Sequence, residues 1–403
     1  MAPATTAAAA STAPAAAAAG ARRDPSRATP RTLHHRRPAV TAARPIGDAA
    51  PVTPTLDLSL AGLAVPLAAV VRGPLVESVH LGHLAVTGPD GEAVAGLGDP
   101  HARVWPRSSL KPLQAVAALQ AGLDLAGDDD RSRRLLALAC SSHSGEQRHL
   151  DGVLELLAGA GLGPSALRGT PDLPYGAEAS AAWRAAGNGP QPLAQNCSGK
   201  HAAMLAACVA AGWDTGTYLD VGHPLQRQVR ATVADLGSSA HNLTTVDGCG
   251  APLHSLPLSG LAKAFGRIAA APERAPGSAE AAVARAMSSH PEMVGGTGRD
   301  VTALMAAVPG LVAKDGADGV YAVGLPDGRG AALKVLDGSD RPRPAVVVAL
   351  LRLLDVTAPA LDELGRVPVL GHGRPVGAVR ALLPDPLPAA PPPAARALPE
   401  GLL

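Results

Sequence analysis

The sequence has 403 residues, of which 47% are hydrophobic and only 2% aromatic, and its formal net charge is +1 at pH 7. A nearly neutral chain lacks the positive field that attracts nucleic acid or an anionic membrane surface, so neither is expected as a partner. No apolar run approaches the ~20 residues of a transmembrane helix. Four cysteines are too few for a fold of this size to depend on disulfide bonds. This number favours a reducing compartment, so we expect a cytoplasmic protein.

The two ends of the chain differ in composition from the rest. Residues 1–60 are rich in Ala, Pro and Arg, and residues 384–403 are rich in Pro and Ala, so we expect both to be disordered extensions. The first also contains an Arg-rich, acid-poor run of the kind that organelle transit peptides show. Residues 61–383 remain as one domain, long enough for a large core. Ala, Val and Leu must build this core because aromatic residues are scarce.

The elements predicted along residues 61–383 alternate between strands and helices. We expect strands at LAAVVRG and LVESVH, a hairpin at HLAVT–GPDGE–AVAGLG, helices over 111–121, 145–160, 199–212, 225–236, 255–270 and 278–289, a second hairpin at GVYAVGL–PDGRG–AALKVLD, and a closing amphipathic helix over 344–356. This order predicts an α/β (α+β) fold. Its antiparallel sheet comes from both chain ends, and the helical middle is inserted between them.

Lysine is rare in this chain, and one lysine follows a serine at helical spacing. Only five of the 35 basic residues are lysines, and a retained lysine is a candidate for chemistry that needs a neutral amine, which arginine cannot supply. Ser108 and Lys111 are three residues apart, so they share one face if Ser108 opens a helix. A lysine whose pKa is lowered by burial can activate a serine nucleophile. The alternative is an N-cap serine beside a solvated lysine.

Two further segments carry polar groups at predicted element ends. Cys140–Glu146 follows the apolar run LLALA, and a strand or buried helix ending there would deliver several hydroxyls and His143 to an active-site rim. The alternative is a buried terminus whose hydroxyls satisfy backbone groups. Lys314 lies in the run AKDGADG, a predicted loop before the last hairpin. It either faces a cleft or belongs to a surface turn.

The thiols suggest a different chemistry. The glycine spacing around Lys200 does not fit a phosphate-binding Walker A loop. Cys197 lies three residues before Lys200 at a helix start, where thiolate is favoured, and Cys249 lies in a turn expected to expose it. Two thiolates on separate loops could share a soft metal such as zinc, although a lysine is an unusual third ligand. The alternative is free structural cysteines, which we expect for Cys208 inside its helix.

Taken together, five segments resemble one known family. RSSLKPLQA, CSSHSGE, NCSGKHAAML, VDGCGAP and AKDGADGVYAVGL occur in the order and at roughly the spacing seen in the asparaginase II family, typified by rhizobial inducible L-asparaginases. The resemblance covers about Leu67 to Leu351. It implies a fold like that of serine β-lactamases and glutaminases, and the conversion of L-asparagine to L-aspartate and ammonia by a cytoplasmic homodimer.

The resemblance also implies roles for individual residues. It implies two Ser–Lys pairs, Ser108 with Lys111 and Ser142 with Lys314. It implies zinc held by Cys197, Lys200 and Cys249. It implies substrate-binding or zinc-flanking positions at Arg107, His143, Asn196, His201 and Asp247.

Two rival classes remain open from the sequence. A β-lactamase or penicillin-binding acylase would also use Ser-x-x-Lys, but the Lys-Thr-Gly element of that class is absent. A non-catalytic zinc-bearing domain would keep the cysteines without needing both Ser–Lys pairs.

Overall fold

A computed structural model describes residues 58–240 and 242–393. These residues belong to one compact unit, residues 56–403. The expected N-terminal extension up to residue 57 and the last ten residues of the expected C-terminal extension lie outside the described residues.

A large antiparallel sheet forms one layer of the domain. The strands of the described part are β1 Val65–Arg72, β2 Leu75–Thr87, β3 Ala93–Leu97, β4 Arg103–Val104, β5 Thr244–Val246, β6 Pro252–His254, β7 Leu256–Pro257, β8 Val312–Gly316, β9 Val320–Gly324, β10 Gly330–Val335, β11 Val367–Gly371 and β12 Arg374–Ala381. Eight of them form the main sheet in the order β11-β12-β1-β2-β10-β9-β8, with β3 also paired to β2. The short strands pair as β4–β7 and β5–β6.

Helices occupy the middle of the chain. The helices of the described part are α1 Ser59–Gly62, α2 Lys111–Gln120, α3 Asp130–Ala139, α4 Gln147–Gly159, α5 Ala177–Ala185, α6 Ser198–Ala210, α7 Pro224–Leu236, α8 Leu258–Arg274, α9 Ala279–Ser289, α10 Pro291–Val294, α11 Asp300–Ala307, α12 Arg343–Leu353 and α13 Leu361–Leu364, with 3-10 turns at Arg107–Leu110 and Pro164–Ala166. The predicted fold class is therefore confirmed: strands from both ends of the domain form the sheet around a helical insert. No helix of the described part is both long and apolar enough to cross a membrane.

Small residues let the layers approach closely. A Cβ built on Gly330 of β10 would lie 1.9 Å from the Ala262 carbonyl oxygen of α8, so the strand can approach the helix this closely only with glycine at this position. Most of the buried apolar side chains are Ala, Val and Leu, as composition predicts. Phe265 and Tyr218 are among the few large side chains with no exposed surface.

Several predicted boundaries are wrong. Helix α8 begins at Leu258 rather than Ser255, because the proline-containing run before it forms β6 and β7. The helix expected to close the domain, α12, is followed by the hairpin of β11 and β12, whose β12 pairs with β1. Lys314 lies within strand β8 and not in a loop.

The C-terminal segment departs from the disorder expected of residues 384–403. Residues 384–393 run along β3, where the Gly96 amide donates to the Pro388 carbonyl at 3.0 Å and the Ala390 amide donates to the Val94 carbonyl at 3.2 Å. His101 Nε2 also lies 2.9 Å from the Pro391 carbonyl oxygen. Proline-rich chain can accept such bonds because its carbonyls remain free although its nitrogens cannot donate.

Candidate active site

The predicted nucleophile lies in a sharp turn after strand β4. Arg107 has φ +52°, a conformation that is uncommon for a residue with a side chain and that clusters at functional sites. A 3-10 turn over Arg107–Leu110 then leads directly into α2, which begins at Lys111. Ser108 is half-buried at this turn. Ser109 is fully buried, and its hydroxyl donates to the Lys314 carbonyl at 3.0 Å, so it has a structural partner.

Lys111 reaches the second serine. It is 1% exposed, and its Nζ donates to the Ser142 hydroxyl at 2.9 Å and to the Ser141 carbonyl. The Ser141 hydroxyl is buried without a hydrogen-bond partner in the described part of the chain. Of the two adjacent serines, Ser142 is therefore the one that the structure joins to the lysine.

The segment that carries Ser142 is fixed by its backbone. Helix α3 ends at Ala139, so the apolar run LLALA is helical, and the chain then extends. The Ser142 amide donates to the Val294 carbonyl at 3.0 Å, and the His143 amide donates to the Asn196 carbonyl at 3.1 Å. Both interpretations of this segment therefore apply. Its backbone amides are hydrogen-bonded, as in a buried terminus, and the Ser142 hydroxyl contacts Lys111, as in an active site.

Lys314 is buried in the same cluster. Its side chain is 0% exposed, and Nζ donates to the Asp315 carbonyl at 2.8 Å and to the Asp315 carboxylate. Burial lowers its pKa to about 8, with the Asp315 carboxylate opposing this effect and Lys111 adding to it. Among the described residues no hydrogen bond joins Lys314 to Ser142, so the structure brings Ser142 to Lys111 in place of its predicted partner.

An ion pair that the sequence analysis did not anticipate links this lysine to the serine segment. Arg299 donates to the Asp315 carboxylate at 2.6 Å and to the Ser142 carbonyl at 3.3 Å. Its guanidinium also lies 4.7 Å from the centre of the Tyr175 ring. Arg299 lies in the run GGTGRD, which contains no motif that predicts a functional residue. Asp315 directly follows Lys314 and was interpreted as part of a turn.

The thiols and the third lysine meet at the start of helix α6. Gly199 permits this placement, because a Cβ there would lie 2.4 Å from the Leu138 carbonyl oxygen of α3. Lys200 Nζ donates to Cys249 Sγ at 3.0 Å, and Cys197 contacts the same sulfur. Cys249 is only 2% exposed, so the expected exposed thiol is wrong: the turn directs it inward.

The charges in this second cluster are consistent with one thiolate beside one ammonium. A hydrogen bond from Cys197 and the nearby Lys200 ammonium hold the pKa of Cys249 far below its usual range. Burial lowers the pKa of Lys200, but the two sulfurs outweigh it and hold that pKa above its usual value. None of the four cysteines forms a disulfide.

The donor set fits the predicted zinc. In the described part of the chain no group of three His, Cys, Asp or Glu side chains converges on a metal position, so a metal here requires Lys200 as a third donor. Cys197, Cys249 and Lys200 are all buried and mutually adjacent. Thiolates suit zinc, and Lys200 can join them only by giving up its proton when the metal binds. Three protein ligands would leave a fourth position open.

The other predicted residues surround these clusters. Arg107 Nε donates to Asp247 at 2.8 Å, and its Nη1 pairs with Asp318. His143 is fully buried, with Nε2 lying 2.8 Å from the Ser198 hydroxyl, and burial holds its pKa well below the usual value. The Asn196 Oδ1 atom lies 3.2 Å from Cys197 Sγ.

His201 contacts a buried tyrosine. Its Nδ1 lies 2.8 Å from the Tyr218 hydroxyl, which also accepts the Arg168 amide at 3.2 Å. The ring also lowers the pKa of Cys249, so His201 supports the thiolate.

Lys111, Lys314 and Ser142 form a buried cluster of groups able to exchange protons, close to the thiol cluster. A family model described as L-asparaginase II matches residues 68–381. The chain belongs to the L-asparaginase II family, and it is accordingly an amidohydrolase. The match extends to β12, beyond the segments that carry the sequence resemblance.

Solved structures give more distant likenesses. A β-lactamase from Mycobacterium bovis is 14% identical, with a TM-score of 0.33, and the alignment covers 67% of this chain and 94% of that one. Mglu in its native form is 16% identical, with a TM-score of 0.31 and coverage of 68% and 64%. Mglu in its tris and glutamate form is 17% identical, with a TM-score of 0.31 and coverage of 76% and 67%. No curated protein matches the chain.

Proposed function

We propose that this amidohydrolase converts L-asparagine to L-aspartate and ammonia through a serine acyl-enzyme. The observation that carries the proposal is the position of Lys111. Its amine lies one helical turn after Ser108 and 2.9 Å from the Ser142 hydroxyl. One buried amine thus contacts the Ser142 hydroxyl and follows Ser108 at helical spacing, in a chain of the L-asparaginase II family.

In the proposed reaction Ser108 attacks the side-chain amide carbon of asparagine, and its proton passes to the Lys111 amine. Ser142 hands a proton on to the leaving nitrogen, the carbon–nitrogen bond breaks, and ammonia departs. Water then attacks the ester carbon, loses a proton through the same groups and releases aspartate. Ser142 is suited to the relay because its hydroxyl can both accept from Lys111 and donate to the leaving group.

Lys314 is proposed as the second base. Its pKa of about 8 keeps a usable fraction of neutral amine near physiological pH, and it lies close enough to Lys111 for the two charges to repel each other. That repulsion disfavours two protonated lysines in one buried cluster. Asp315 and Arg299 link this lysine to the Ser142 segment, because Asp315 accepts from Lys314 and Arg299, and Arg299 also donates to the Ser142 carbonyl.

Substrate recognition is proposed for the polar groups around the cluster. The Asp247 carboxylate would bind the ammonium group of asparagine, and Arg107 the carboxylate; at present these two side chains pair with each other. His143, Asn196 and His201 would shape the pocket from its buried side.

Zinc would be held by Cys197, Lys200 and Cys249. Bound there, it supplies positive charge and rigidity beside the pocket. Its thiolate ligands require a reducing compartment, so the proposal includes a cytoplasmic enzyme. The homodimer implied by the family resemblance is part of the same proposal.

The test is release of ammonia from L-asparagine by the purified full-length protein. Ser108→Ala should reduce kcat by several orders of magnitude, because removing one member of a cooperating catalytic set abolishes most of the rate. Ser109→Ala is the matched control. It loses a structural hydrogen bond worth about 1 kcal/mol and should retain most activity. Equal loss in both variants, or a larger loss in Ser109→Ala, would contradict the assignment of the nucleophile.

A further inference from the structure

A cleft much larger than a single amino acid adjoins the proposed substrate groups. It encloses about 1660 Å³, and Arg107, Asp247 and Asp318 form part of its wall. Sites for drug-sized ligands are typically about 300–1,000 Å³, and asparagine is smaller than those ligands. A pocket for free asparagine would therefore use only a fraction of this space.

Most cations that line the cleft already have partners. Arg107 pairs with Asp247 and Asp318, the Lys334 amine donates to the Asp318 carbonyl, and Lys263 lies 3.8 Å from Glu92. These side chains are neutralised within the protein or committed to its backbone.

Arg103 differs from them. It lies on β4, is half-buried, and lines the same cleft. Its one hydrogen bond within the described residues is a long one, 3.4 Å, to the Ser255 hydroxyl, and no carboxylate there pairs with it. Burial lowers its pKa with no acidic neighbour to oppose that effect. A guanidinium removed from water without an anion is costly, and a bound carboxylate would satisfy it through two parallel hydrogen bonds.

The spacing along the chain connects Arg103 to the nucleophile. Ser108 lies five positions further along the chain, so the two Cα atoms are at most about 18 Å apart. Trp105 lies between them in sequence, lines the cleft and is 37% exposed, which offers an apolar surface. The wall thus presents a site for a carboxylate and a site for an apolar side chain, and along this segment it ends at Arg107, the residue directly before the proposed nucleophile.

We propose that the enzyme also deamidates dipeptides with N-terminal asparagine and an apolar second residue, with Arg103 binding the C-terminal carboxylate. This inference rests on the proposed function. In such a substrate the free ammonium still meets Asp247, and Arg107 donates to the peptide carbonyl that replaces the carboxylate of free asparagine. The second side chain packs on Trp105, and the carboxylate lies one residue further along the cleft. Ser108 attacks the same side-chain amide carbon, ammonia leaves, and water completes hydrolysis to the aspartyl dipeptide; the peptide bond is not broken.

The experiment compares three substrates by release of ammonia from the purified full-length protein. These are L-asparagine, Asn-Leu, and Asn-Leu N-methylamide, whose carboxylate is blocked. The wild-type protein should hydrolyse Asn-Leu with a kcat/KM about 10–100-fold above that of the N-methylamide, the range expected for a hydrogen-bonded charge. Arg103→Gln should remove this preference by lowering kcat/KM for Asn-Leu alone. Arg103→Lys should restore part of it, and Arg184→Gln, on the exposed side of α5, should change nothing.

The outcomes separate the two proposals. Ammonia from asparagine but none from Asn-Leu overturns this inference and leaves the proposed function standing. Equal turnover of Asn-Leu and its N-methylamide by the wild-type protein overturns the role of Arg103, without relying on any variant. Ammonia from none of the three substrates overturns both proposals.

Discussion

The pKa of Lys314 makes the pH dependence of the reaction a sharp test. A lysine acts as a base only when it is neutral, so activity that depends on Lys314 should rise as pH increases through its pKa of about 8. With that pKa about a tenth of the molecules carry the neutral amine at pH 7 and about nine tenths at pH 9, so kcat should increase roughly tenfold between them.

Asp315→Asn perturbs this profile in a known direction. The Asp315 carboxylate raises the pKa of Lys314, whereas burial, Lys111 and Arg299 all lower it. The Cys140 thiol, which also lies near Lys314, stays neutral because burial raises its pKa to about 12. Removing the carboxylate therefore leaves only influences that favour the neutral amine. An opposite charge at this range shifts a pKa by about 1–3 units, so the ascending limb should move to lower pH by that amount.

The assay is kcat measured from pH 6 to 10 for the wild-type and Asp315→Asn proteins, with circular dichroism confirming that both are folded at each pH. Lys314→Arg, which remains protonated throughout, should lose activity at every pH. A limb that stays in place in Asp315→Asn, or moves to higher pH, would refute the role of Lys314 as a base.

Further predictions concern the metal, the packing and the tail. Purified protein should contain close to one zinc per chain, and Lys200→Arg should lose it, since a guanidinium has no lone pair to donate; Lys263→Arg should keep it, and full zinc in both would exclude a lysine ligand. Gly199→Ala should lower the free energy of unfolding by about 1–3 kcal/mol, because its Cβ would collide with the α3 backbone. Gly163→Ala, with open space around it, is the control, and equal denaturation midpoints would contradict the argument. Deleting residues 384–403 should lower Tm by removing hydrogen bonds to β3; an unchanged Tm would mean that this pairing adds no stability.

The sequence predicted the layout of the fold because its signals were local. Hairpins with Gly-rich turns and Ala-rich helices carry their pattern within a few residues, and most of these were found. The last hairpin, β11 and β12, was missed because its burial comes from β1 at the other end of the domain. The tail was missed for a related reason: proline-rich composition indicates a chain that cannot form helices, yet its carbonyls can still pair with an edge strand.

The sequence predicted which residues belong to the candidate site better than it predicted which of them contact each other. Ser108, Lys111 and Ser142 were singled out by motif, but only the fold shows that Lys111 contacts Ser142 and that Lys314 pairs with Asp315. Spacing along the chain cannot reveal contacts between residues brought together from distant elements. Cys249 illustrates the same limit. Its Gly-rich turn predicts an exposed thiol, but the sulfur is buried and accepts a hydrogen bond from Lys200, which lies on another element.

The pairing of β1 with β12 has a consequence for how the polypeptide is made. Ala68 aligns with Ala381, so β1 can pair with β2 early in synthesis but gains its other neighbour only after almost the entire domain has been made. Until then one edge of β1 offers unsatisfied amides and carbonyls, the kind of edge that recruits other chains. The helices of the middle can fold during this interval because their bonds are local. Closure of the sheet on this side must therefore await β12, and slow release or premature termination before β12 should produce aggregation-prone chains.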